Sequence, residues 1–227
     1  MNLLGAIFSF VASLLAIGGF LFIVRSYHRS KNKSLIFLSL MFLMFGLHGL
    51  ALSTPSFFSG ISLATRAHLY NLSMAFVFIA FIVGLRIPTF ITNDFIRKNL
   101  TSLSLLLAAI GMTVVTIQFV NFRLPIVNDQ GFIFWNVNSI TAWLAGGIAL
   151  IYGFSWSYLL FKNSKLITNE HHKLKMQILM LDGVLLGLAG FLSFTSTNKF
   201  VTLASVALFM LAGLITILIP FLPKGNN

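Results

Sequence analysis

The 227-residue chain contains no cysteine, which removes disulfides, thiolate metal ligands and thiol nucleophiles together and leaves the redox compartment unread. Acidic residues are nearly as scarce. Asp94, Asp129, Glu170 and Asp182 are the only four, too scattered to assemble a carboxylate metal site. The five prolines, Pro55, Pro88, Pro125, Pro220 and Pro223, lie between the apolar runs or at their ends, so no run carries a proline kink. Walker, HExxH and GxSxG motifs are missing as well, and with them the chemistries they serve. Neither an enzymatic activity nor a cofactor is expected.

What the chain has in abundance is apolar surface. It is 58% hydrophobic and 8% charged, with a mean hydropathy of +0.96, a composition outside the range of ordinary soluble domains. A membrane crossing takes about 20 apolar residues to cover a hydrocarbon core roughly 30 Å thick. Seven runs meet that need, at 3–24, 35–53, 68–86, 100–120, 139–161, 178–196 and 200–221. The expected fold is all-α, a single domain over 1–227 forming a bundle of seven transmembrane helices in the cell membrane, with the lipid bilayer as its first partner.

Lysine and arginine orient such a bundle, because they are retained on the cytoplasmic side. Twelve of the 15 basic residues follow runs one, three, five and seven; only Arg66, Arg123 and Lys199 follow the even-numbered ones. The N-terminus is therefore expected outside and the C-terminus in the cytoplasm. No basic residue precedes the first run and four follow it closely (Arg25, Arg29, Lys31, Lys33), a pattern unlike a cleaved signal peptide. The net charge of +11 belongs to these loops and orients helices rather than binding nucleic acid.

One acid interrupts an apolar run: Asp182, in ILMLDGVLLGLAGFLSF (178–194). An isolated carboxylate at that depth costs about 2.5–3.5 kcal/mol on insertion scales, and loss of water favours its neutral form. Tyr152 and Ser155 in run five, Thr216 in run seven, Ser39 in run two and Ser104 in run four fall near its level. They are the candidate hydrogen-bond partners of a proton or ligand site. The alternative role for Asp182 is to hold helices in register. Gly183, Gly187 and Gly190 beside it form a small-residue face suited to close helix packing, including packing against a second copy of the chain.

Other polar features are less telling. Retinal chemistry needs a lysine in the last run, and 200–221 has none. His48 and His68 lie toward the outer ends of runs two and three, but nothing supports a bis-histidine haem or metal site between them. His171 and His172, in the basic NEHHKLK segment, fit a solvated helix extension. Two pairs of stretches recur in order: SYHRSKNKSLI (26–36) with SYLLFKNSKLI (157–167), and GLHG (46–49) with GLAG (187–190). They are compatible with a three-plus-one-plus-three repeat.

The order of parts, GFIFW (131–135) ahead of run five, Tyr152 within it and HHKLKMQ, including Lys175 to Gln177, ahead of run six, resembles the N-terminal seven-helix sensor region of bacterial histidine kinases. That resemblance implies a membrane receptor passing a ligand, lipid or protonation signal to a separate signalling protein. No kinase domain is included up to Asn227, so a stand-alone sensor or accessory subunit is implied. Its site would be the polar layer around Asp182 or an outer cavity lined by His48, His68 and Asn71. Two other classes stay open: a small proton-linked carrier similar to the SWEET sugar transporters, whose helices carry interior prolines that are missing here, and a structural subunit of a membrane complex.

Overall fold

A backbone buried in lipid must satisfy its own amides, and an apolar chain does so by coiling into helices. The computed structural model describes residues 3–58, 60–87, 94–121, 123–127, 133–134, 136–196 and 198–219. Seven helices account for nearly all of them: α1 (Leu3–Ser30), α2 (Ser34–Ser53), α3 (Leu63–Arg86), α4 (Asp94–Val120), α5 (Ser139–Ser164), α6 (Glu170–Thr195) and α7 (Lys199–Leu218). A 3-10 turn, Thr54–Ser56, follows α2. Between α4 and α5, Ile126–Val127 pairs antiparallel with Ile133–Phe134.

Six of the helices, α1 to α6, are long and apolar enough to cross a membrane. The described apolar part of α7, Phe200–Ile215, is shorter, about 24 Å at 1.5 Å per residue. Polar side chains start several helices by accepting a bond from an otherwise orphaned amide. Ser62 accepts from the N–H of Thr65, Asn138 from Ile140, Asn169 from His172 and Asn198 from Phe200. The Asn169 cap starts α6 eight residues before the apolar run, so the NEHHKLK segment forms its opening turns, steadied by a 3.1 Å Lys173–Glu170 ion pair.

Helices adjacent in sequence are adjacent in space, and α7 touches α1 lightly to close the ring. α3 and α5 are the interior members, with 56% of each span buried, against 6% for α1. The core between them is aromatic and aliphatic: Phe81 and Tyr152 stack with centroids 4.5 Å apart, surrounded by Met74, Val77, Leu107 and Val114.

Among the described helices, α5 and α6 share the most extensive contact. A Cβ added to Gly153 would lie 2.5 Å from the Gly183 carbonyl oxygen and 2.6 Å from the Gly187 Cα, so the two backbones meet with no side chain between them. One turn away, a Cβ at Gly190 would lie 2.6 Å from that of Ala149. Ser157 Oγ bridges the seam, donating to the Met180 carbonyl at 2.7 Å and lying 2.8 Å from that of Gly153. The α1–α2 pair uses the same device, with Gly46 against Ile17 and Gly49 against Ser13. Gly153→Ala is expected to cost about 1–3 kcal/mol by overpacking, read as a lower melting temperature in detergent. Gly147→Ala, whose Cβ would have nothing within 4 Å, should stay within about 0.5 kcal/mol. Equal melting temperatures for the two variants would argue against the seam.

Candidate functional site

Asp182, Tyr152 and His48 line a cavity of about 220 Å3 bounded by α1, α2, α5, α6 and α7. Its walls are mostly apolar, as ligand cavities generally are. Polar side chains reach it from each bounding helix: Ser9 and Ser13 on α1, His48 on α2, Tyr152 on α5, Asp182 and Ser193 on α6, and Ser205 on α7.

Asp182 is buried and stands midway along α6, which begins at Glu170. That places it about 18 Å from either helix end. Tyr152, from the sequence-derived layer, shares the cavity with it. The Tyr152 ring is held between Phe81, at 4.5 Å, and Trp156, at 6.3 Å. Its hydroxyl donates to the Met41 sulfur at 3.3 Å and sits where a Cβ on Gly84 would come within 2.5 Å of it. Gly84 thus leaves room for the phenol between α2, α3 and α5.

Other members of that layer fall elsewhere. Ser155 is half-buried and does not line the cavity. Ser39 and Ser104 direct their hydroxyls into their own helices, to the carbonyls of Ile36 at 2.8 Å and Leu100 at 2.7 Å. Such back-bonding is how a hydroxyl is satisfied where water is absent. Thr216 belongs to α7, but its side chain lies outside the described residues. Of GFIFW only Ile133 and Phe134 are within them, and Asp129 and Trp135 are not.

The structure does not bring His48, His68 and Asn71 together. His48 lines the cavity and is tied to α3: Nδ1 lies 2.7 Å from Ser73 Oγ and 3.0 Å from the Ser73 carbonyl oxygen. A protonated Nδ1 donates to the carbonyl, and an unprotonated one accepts from the hydroxyl. His68 and Asn71 belong instead to the α3–α4 seam. The His68 ring stacks on Phe119 at 6.1 Å, and Asn71 Nδ2 donates to the Gln118 carbonyl at 3.4 Å. His171 and His172 sit edge to face in the first turn of α6.

Sequence reasoning did not single out Ser9, Ser13, Ser193 or Ser205. Ser9 and Ser13 are one turn apart in α1, with Ser13 Oγ donating to the Ser9 carbonyl at 2.5 Å, and that spacing in an apolar run was the available signal. Ser205 Oγ reaches from α7 to the Ala189 carbonyl of α6 at 2.9 Å, a contact no local pattern announces. In a double-mutant cycle, Ser73→Ala and His48→Leu should be non-additive by about 0.5–1.5 kcal/mol in unfolding free energy. Additive losses would mean that the 2.7 Å contact contributes nothing. No family model, curated protein or solved structure matches the chain.

Proposed function

We propose that the chain is a multi-pass cell-membrane protein with seven spans, N-terminus outside and C-terminus in the cytoplasm, acting as a non-enzymatic receptor-like sensor. The observation that carries this reading is the cavity, in which Asp182, Tyr152 and His48 from three helices face one space. An intramembrane acid is costly, and its usual justification is a ligand or proton pathway. Occupancy or protonation there would act on helices of unequal freedom. The glycine seam joins α5 and α6 into one unit, whereas α1 and α7 touch only lightly. A ligand that favours one spacing of these groups over another shifts the balance between them, and the inner loops would pass the change to a separate signalling protein.

A second reading, a small carrier, draws on the repeated glycine pairs. Gly46 and Gly49 of GLHG face α1 just as Gly187 and Gly190 of GLAG face α5, so the matching stretches hold matching places in two three-helix units. Internal repeats of this kind are frequent in transporters.

Orientation is open to direct measurement because the chain has no native cysteine. Single cysteines at Gly60 and Arg123 are expected to react with an impermeant maleimide on intact cells. Those at Lys33 and Leu166 should react only after permeabilisation, and labelling of all four from outside would refute the topology. For function, Trp135→Phe with Trp143→Phe leaves Trp156, in the cavity wall, as the sole tryptophan. Its fluorescence is expected to respond to a member of a metabolite library, with the response abolished by Asp182→Asn while the melting temperature holds. A ligand that binds without uptake into proteoliposomes supports the sensor, and uptake supports the carrier. If Asp182→Asn instead unfolds the protein, the acid serves helix register.

A further inference from the structure

The cavity contains one acidic side chain, Asp182, and no lysine or arginine lines it among the described residues. Its other titratable members are Tyr152 on α5 and His48 on α2; α1 and α7 contribute none. Aromatic rings make up much of the remaining wall, with Phe42 and Phe45 from α2, Trp156 from α5 and Phe209 from α7, joined by the thioethers of Met41 and Met210. Ring faces carry negative potential and attract cations, and thioethers are soft and adaptable partners. A carboxyl group among such surfaces complements an organic cation. Against an ammonium group the carboxyl can ionise and pair with it, whereas an anion finds no lysine or arginine among the described lining residues, and a polyol finds the Ser13 and Ser205 hydroxyls already donating to backbone carbonyls.

Size and shape narrow the class. The volume of about 220 Å3 lies below the roughly 300 Å3 at which sites for drug-sized molecules begin. The wall residues on α2 nevertheless run from Leu38 to Leu52, about 21 Å of helix. A small volume spread over that length is a slender slot, with the acid toward one end: the α6 lining runs from Leu179 to Ser193, and Asp182 is three residues from the first of these. We infer that this slot binds a small, unbranched organic monocation of the alkylammonium type, its ammonium group against Asp182 and its chain along the apolar walls. The inference rests on the cavity being the ligand site proposed above, and it adds the charge and shape of what enters.

The test uses the full chain in nanodiscs with Trp156 as the sole tryptophan, titrated with n-hexylamine, 1-hexanol and hexanoate, and with empty nanodiscs to correct for partitioning. The three probes share a chain and differ in charge. Hexylamine is expected to bind at least about tenfold more tightly than hexanol, and hexanoate not at all. Asp182→Asn should bring hexylamine down to the hexanol level while leaving hexanol binding unchanged, which shows that the slot is intact. Asp182→Glu should keep the preference. Equal binding of amine and alcohol to the protein with Asp182 in place would overturn the cation inference and leave the cavity as a ligand site. Saturable binding of none of the three would overturn both.

Discussion

The arrangement depends on a place where two helices have no side chains between them. Gly153 on α5 faces Gly183 and Gly187 on α6 at backbone contact, a separation that any larger residue on either side would widen. The residues immediately before two of these glycines are Tyr152 and Asp182. With the seam fixed, both side chains line the same cavity. The Ser157 bridge to the Met180 carbonyl resists sliding along the seam, so the relation between phenol and acid is held by backbone and not by long side chains.

Around that seam the bundle meets the cost of polar groups in two ways. Hydroxyls that face nothing useful return to their own helix, as Ser39 and Ser104 do, which removes the penalty of an unmade bond without constraining a neighbour. Those that cross between helices include Ser73 with His48, Ser157 with the Met180 carbonyl and Ser205 with the Ala189 carbonyl, and they couple α3 to α2, α5 to α6 and α7 to α6. Most of them join helices that already pack tightly, which leaves the light α1–α7 contact as the place where the ring yields most easily.

Burial follows the same division. The interior helices α3 and α5 carry the stacked rings of Phe81 and Tyr152, and α1 shows most of its surface outward, with Leu21 and Phe22 more than 60% exposed. In water such exposure would promote aggregation, whereas in lipid it costs nothing, because acyl chains are as apolar as leucine. An outer helix of this kind can shift against its neighbours without exposing apolar surface to water. The receptor-like reading requires that freedom.

The all-helical class and the runs that became α1 to α7 were legible in the amino-acid order, because in a bilayer apolar length and backbone self-satisfaction leave little else to decide. So was the burial of Asp182, since an acid in the middle of an apolar run is carried inside with it. The start of α6 was not, because a basic segment capped by Asn169 resembles a loop until its amides are seen to be satisfied. Which polar residues meet was decided by tertiary structure alone. His48, His68 and Asn71 share a similar depth, but the rotation of α2 and α3 about their axes sends His48 to the cavity and the other two toward α4. Hydropathy records depth and is nearly silent on rotation when every face of a helix is apolar; rotation is set by close contacts such as Gly153 on Gly187, which exist only once the helices have packed.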